Sequence, residues 1–125
     1  MSRSYDQMCP IAQTLDLVGE RWTFLILRDL LVFEKTKFSE LQEGLPGIPA
    51  RILSERLKKL QANGLVEREV YSQHPLRAGY RPTEKGLSLK PLLGALAAWG
   101  AEHCLSPEER ERVLQQVPAE LRPFD

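Results

Sequence analysis

Four residues at helical spacing carry the most interpretable chemistry in this 125-residue chain: Arg51, Ser54, Glu55 and Lys58. At 3.6 residues per turn they share one side of a helix, opposite Ile52, Leu53, Leu57 and Leu60. An arginine presented this way can bond the edge of guanine with two donors. A glutamate can accept from the amino group of cytosine, and a serine hydroxyl can reach bases or phosphates. Lys58 suits a phosphate better than a base. Arg56 falls inside the apolar arc instead, so its stem is expected to pack and its head to pair with an acid. Further along, Arg77 lies near the expected tip of a hairpin, where it could enter a minor groove or touch phosphate, with His74 and Arg81 assisting at the backbone. A polar helix face is ordinarily just solvated surface, so the surrounding elements decide how these residues are read.

Those elements are specific. Ser39 and Gln42 have the spacing of a capping box and open a short helix over residues 39–45. Leu45-Pro46-Gly47-Ile48-Pro49 breaks it and turns the chain. The next helix is expected over 49–63, with Pro49 as its first residue and Asn63-Gly64 as its stop. Val66 to Tyr71 reads as a strand, Ser72 to Ala78 as the hairpin tip and Gly79 to Pro82 as the returning strand. Tyr71 and Tyr80 are expected to brace the ribbon. Two helices joined by a few residues, the second basic, followed by a two-stranded ribbon, predict a winged helix-turn-helix. The fold class is therefore mainly α with a small β-wing, and the expected partner is double-stranded DNA.

The charge balance agrees in its distribution rather than in its total. Formal net charge is zero. Residues 49–90 carry nine Lys/Arg against four Glu, a balance of +5, while residues 1–48 stand at −2 and residues 91–125 at −3. The positive charge thus collects where the DNA elements are expected.

The rest of the chain supplies scaffold. Ile11, Leu15 and Val18 mark a first helix over 10–19, beginning near Pro10. Residues 21–32 form a second, apolar nearly all round, which places it at the centre of the core. Phe33 to Lys37 is a linker with room for a short strand against the wing. Thr83 is a good N-cap for a helix over 84–103, in which Leu89, Leu92, Leu93, Leu96 and Trp99 form a stripe, and Pro91 should kink it or split off its first turn. Ser106 and Pro107 open a short acidic helix, and the tail beyond Pro118 reads as loose. One domain over 8–103 followed by an acidic helix and tail over 104–125 describes the organisation. No apolar run reaches the ~20 residues a membrane helix needs. Met1 to Gln7 is polar and lacks a signal-like apolar region, so the expected location is cytoplasmic, with no membrane partner. Cys9 and Cys104 make no disulfide framework and have no metal-ligand spacing with His74 or His103, so neither metal nor cofactor is expected. No Ser/His/Asp constellation, phosphate loop or paired-carboxylate site stands out, which argues against an enzyme.

Taken together, several stretches resemble the HxlR-type family of bacterial winged helix-turn-helix transcription regulators. They are Cys9-Pro10, Leu15 to Thr23, Leu25 to Leu30, Phe38 to Leu41, Leu45 to Ile48, Leu53 to Leu57, Gly64 to Arg68, Tyr80 with Thr83 to Gly86, and Trp99-Gly100. The resemblance covers about residues 8–103. It implies a cytoplasmic homodimer on a near-palindromic operator, with N- and C-terminal dimerisation helices at 10–19 and 84–103. It also places a redox or electrophile sensor at Cys9, just before a helix N-terminus whose positive end attracts anions. Where the family usually has a serine at the recognition-helix cap, this chain has Ile48-Pro49. A winged-helix interaction module without DNA binding is the alternative, favoured by zero net charge and by Glu55 on the presented face. A small-molecule effector could lodge between core and dimer helices.

Overall fold

The computed structural model describes residues 8–117; the expectations for the polar N-terminal stretch and the tail beyond Pro118 fall outside them. In chain order the elements are α1 (Pro10–Val18), α2 (Arg21–Leu31), α3 (Phe38–Glu43), α4 (Ala50–Ala62), β1 (Val66–Gln73), β2 (Leu76–Pro82), α5 (Glu84–Leu87), α6 (Lys90–Cys104) and α7 (Pro107–Gln116). The mainly helical architecture with one antiparallel ribbon is the expected winged helix-turn-helix.

The core sits where α2, α3 and α4 converge. Ile26, Leu27, Leu30 and Leu31 of α2 are buried with Leu41 and Leu45, and with Leu53, Leu57 and Leu60 of α4. The α4 leucines recur at i, i+4 and i+7, so one face of that helix is sealed and the opposite one is left to solvent. Burying a leucine fully contributes roughly 1.5–3 kcal/mol, so these three contacts hold α4 far more strongly than any pair on its exposed side. The opposite side of α2 is less enclosed than its composition suggests: Trp22, Phe24 and Leu25 are only partly buried.

Local chemistry moves several boundaries. α3 starts at Phe38, not at Ser39, and the Ser39–Gln42 box does not form. Its N-terminus is closed by Glu40, whose Oε1 accepts from the backbone N–H of Lys37 at 3.0 Å and of Thr36 at 3.2 Å. A carboxylate accepting two backbone donors outcompetes a neutral hydroxyl-amide pair, and it holds the Glu40 carboxyl below its usual pKa. Pro49 is the N-cap of α4 rather than its first helical residue. Its backbone is extended (ψ 143°), and its carbonyl accepts the first helical bond from Leu53 at 3.0 Å. That extended step lets Ile48 turn into the core. At the far end Asn63 is the C-cap and Gly64 takes φ +74°, the left-handed conformation glycine adopts without penalty. Thr83 caps only the four-residue α5, through a bond from Gly86 N–H at 3.1 Å. Pro91 stands in the first turn of α6, where a missing N–H costs nothing, so the long helix is split as anticipated. Ser106 and Glu109 close the start of α7 reciprocally, at 3.2 and 2.8 Å.

Candidate nucleic-acid interface

On α4, Arg51, Glu55 and Lys58 are exposed and Ser54 is half-buried. Arg51 Nη1 meets Glu55 Oε2 at 3.1 Å, an i, i+4 pair with both side chains largely in solvent. Such a pair is worth only ~0.3–0.5 kcal/mol, so either partner is free to exchange it for a ligand. Arg56 reaches an acid, as expected of a residue in the apolar arc: its Nε donates to Glu20 Oε1 at 2.9 Å, while its Nη1 stays 4.0 Å from Glu55 Oε1 on the presented face. Glu20, which sequence reasoning did not single out, is also the N-cap of α2, accepting from Thr23 N–H at 3.0 Å. Burial pushes the Glu20 carboxyl up, but the hydrogen bonds from Arg56, Thr23 and Trp22 together outweigh it and leave the pKa lowered. Two lysines near the C-terminal end of α4 add further ties: Lys59 Nζ donates to the Asp16 carbonyl at 3.2 Å, and Lys85 Nζ to the Asn63 carbonyl at 2.9 Å.

The wing is longer and its turn tighter than expected. β1 and β2 pair from Val66↔Pro82 to Gln73↔Leu76, leaving His74-Pro75 alone at the tip. Arg77 is therefore not in the turn; it stands in β2 opposite Ser72. The Ser72 hydroxyl donates to the Pro75 carbonyl at 2.9 Å, which fastens the short turn. A slip of register between Val70 and Ser72 leaves Tyr71 without a partner, and it is 52% exposed rather than bracing the ribbon. Tyr80 does pack against the core. Strand alternation puts Arg77 and Arg81 on one face with Glu67 and Glu69. Arg81 lies 3.8 Å from Glu67 and 3.5 Å from Glu69, so its charge is engaged by two carboxylates at the base of the ribbon. Among the described residues Arg77 and Lys58 make no ion pair. The linker before α3 pairs with the other edge of β2, through Tyr80 N–H to the Thr36 carbonyl at 2.8 Å and a bridge between Lys37 and Gly79. The wing is thereby fixed beside α3 and α4.

A second feature of the surface is apolar. Leu89 and Leu93 pack on the core, but Leu96 and Trp99 of the same stripe are 49% and 64% exposed. Ile11 and Leu15 of α1 are 71% and 51% exposed. Cys9 is the N-cap of α1: its Sγ accepts from Ala12 N–H at 3.5 Å, and the side chain is half-buried. Cys104, at the end of α6, is exposed.

The family model for HxlR-like helix-turn-helix proteins matches residues 17–108. The chain belongs to the HxlR-like helix-turn-helix family. It is 40% identical over 97 residues to the uncharacterized HTH-type transcriptional regulator YvaP of Bacillus subtilis, covering 77% of this chain and 89% of YvaP. It is 38% identical over 98 residues to the HTH-type transcriptional regulator YodB of the same organism, covering 78% and 87%. Among solved structures it resembles the redox regulator HypR in its oxidized form, with a TM-score of 0.71 and 34% identity over 78% of this chain and all of that one. A putative MarR-family regulator from Porphyromonas gingivalis superposes with a TM-score of 0.73 at 27% identity, over 82% and 99%. This HxlR-like protein is accordingly a transcriptional regulator of winged-helix type. No helix among its described residues is long and apolar enough to cross a membrane.

Proposed function

We propose that this regulator binds a near-palindromic operator in double-stranded DNA as a homodimer in the cytoplasm. The observation that carries the reading is the division of α4 into two faces. Leu53, Leu57 and Leu60 are sealed in the core, while Arg51, Glu55 and Lys58 stand in solvent on the second helix of a helix-turn-helix. In this reading Arg51 and Glu55 read base edges, Ser54 reaches bases or phosphates, and Lys58 holds a phosphate. Arg77 enters the flanking minor groove or meets its backbone, with His74 at the tip. Arg81 serves the phosphates more weakly, because it is already engaged by Glu67 and Glu69. The apolar faces of α1 and α6 form the dimer contact.

A gel shift on the region upstream of its own gene tests this. Arg51→Ala is expected to weaken binding by roughly 10- to 100-fold, the equivalent of one lost bidentate base contact at ~1–3 kcal/mol. Arg77→Ala should weaken all sequences alike and lower the salt slope by about one. Wild type binding no better than the two variants at moderate salt would contradict the assignment. The carboxylates of Glu55, Glu67 and Glu69 on the presented surfaces favour the second reading, a protein-interaction module, which predicts a stable protein partner and no preferred duplex.

Cys9 is proposed as a redox or electrophile sensor, supported by its place at the α1 N-terminus beside the apolar face and by the likeness to a redox regulator. Diamide is expected to change operator affinity of the wild type and not of Cys9→Ser. The same response in both proteins would remove Cys9 from the mechanism.

A further inference from the structure

We propose that Arg56 and Lys59 are positioning residues: they lock the reading helix α4 to the α1–α2 elbow and so set the spacing of the two reading helices across the dimer. The inference rests on the DNA-binding, dimeric reading above and names the joint through which the dimer face governs that reading.

The two side chains lie three positions apart on α4, hence on neighbouring turns of one face. Arg56 Nε reaches the Glu20 carboxylate at 2.9 Å, and that carboxylate is the cap of α2. Lys59 Nζ reaches the Asp16 carbonyl at 3.2 Å. Asp16 is among the last residues of α1, whose terminal carbonyls lack helical donors and carry the negative end of the helix dipole. The two contacts therefore straddle the elbow at Val18-Gly19-Glu20, one on each helix. Lys85 fastens the end of α4 from α5 as well.

Packing alone does not give this control. The α4 contacts with the core are aliphatic side chains on one another, which resist separation but distinguish poorly between small rotations and slides. Directional hydrogen bonds to two anchored acceptors do distinguish them. Both links are partly solvated, the Arg56 side chain being 27% exposed and Lys59 exposed, so their contribution to folding is small. Their cost is then expressed in geometry. α1 also carries Ile11 and Leu15 on the proposed dimer face, so the orientation of that face reaches α4 through this elbow. An operator with fixed half-site spacing rewards a rigid joint, because the second half-site is bound at high effective concentration only when the geometry fits.

The experiment uses the full chain with Ala62→Cys as a spin-label position on α4, in a Cys9→Ser, Cys104→Ser background. The inter-subunit label distance is measured in the parent, in Arg56→Gln, in Lys59→Met, in the double variant and in Lys59→Arg. Binding is measured in parallel to a full operator and to a single half-site. The parent should show one narrow distance. Arg56→Gln and Lys59→Met should broaden it, the double variant most, with folding confirmed by circular dichroism, and Lys59→Arg should restore the narrow distribution. Full-operator affinity should fall on the order of 10- to 100-fold in the double variant while half-site affinity holds. An unchanged distance distribution in the folded double variant, or equal losses on full and half sites, overturns the proposal. A parent that binds no duplex would defeat the DNA-binding reading instead, and the distance measurement would still decide whether the joint is rigid.

Discussion

Replacing Asp29 with alanine is expected to cost about 2–4 kcal/mol of folding stability, the range for removing one member of a buried, hydrogen-bonded charge cluster whose other members keep some access to water. Asp29 is completely buried. Its Oδ1 accepts from Arg28 Nε at 2.8 Å and its Oδ2 from Lys35 Nζ at 3.3 Å. Arg28 continues to the Gly44 carbonyl at 3.3 Å, and the Asp29 carbonyl accepts from Lys35 N–H at 3.0 Å. The cluster therefore ties the end of α2 to the linker, and the linker is the element that pairs with β2. Gly44 is part of the same fit, since a side-chain carbon there would run into Asp29 and Lys35. Arg28 and Lys35 are 39% and 30% exposed, which lets them turn to water and places the cost below that of a fully enclosed pair. Asn at this position should rescue only in part, because its NH2 would face one of the two donors while its single oxygen serves the other, and the negative charge is lost. Denaturant melts should show a lower midpoint at unchanged slope, and thermal melts a fall of about 10 °C. A loss under about 1 kcal/mol would show that the cluster is dispensable.

Trp99→Glu is expected to convert the protein to a monomer and to lower operator affinity by at least about 100-fold, the scale on which a second linked half-site contributes. Trp99 is 64% exposed in the single chain and lies on one helix face with Leu96, while α1 offers Ile11 and Leu15. Exposed apolar residues grouped on helix faces mark an interaction surface, and tryptophan is the residue type whose loss at such a surface is felt most. A glutamate there would be buried without a partner in the dimer and comfortable in water as a monomer. Sedimentation equilibrium gives the mass directly, and the half-site affinity should survive because α4 is untouched. A dimer that persists in Trp99→Glu would place the contact elsewhere.

The features legible in the sequence were those with a local cause. The leucine spacing in α4 announced both its buried and its open face, Asn63-Gly64 announced its end, and Pro91 announced the break before α6. Arg56 could be assigned an acid partner from its place on the helix wheel. The identity of that partner could not, because Glu20 lies 36 residues away and is joined only by tertiary folding. α3 starts one residue before the expected position because Ser39 offers a plausible cap while Glu40, one residue on, offers a charged one. The wing turn was misjudged because His74-Pro75 carries none of the Asn-Gly signals that mark two-residue hairpins. Arg77, expected at the tip, therefore belongs to the strand. Asp29 gave no signal at all: inside an apolar run a charged residue is expected to face solvent, and only the fold shows the two cations around it. Leu96 and Trp99 continue the spacing of the partly buried Leu89 and Leu93, and periodicity alone cannot separate a face turned inward from one left in solvent.

The central claim is that two copies together present Arg51, Ser54, Glu55 and Lys58 to base edges. Selection of bound sequences from random duplexes by the wild-type protein tests it most directly. The prediction is one enriched motif made of two inverted half-sites whose centres lie about one duplex turn apart, ~10 base pairs, with the preferred bases lost when Arg51→Ala is selected in parallel. Enrichment of no motif, of an isolated half-site, or of the same motif by Arg51→Ala would contradict it.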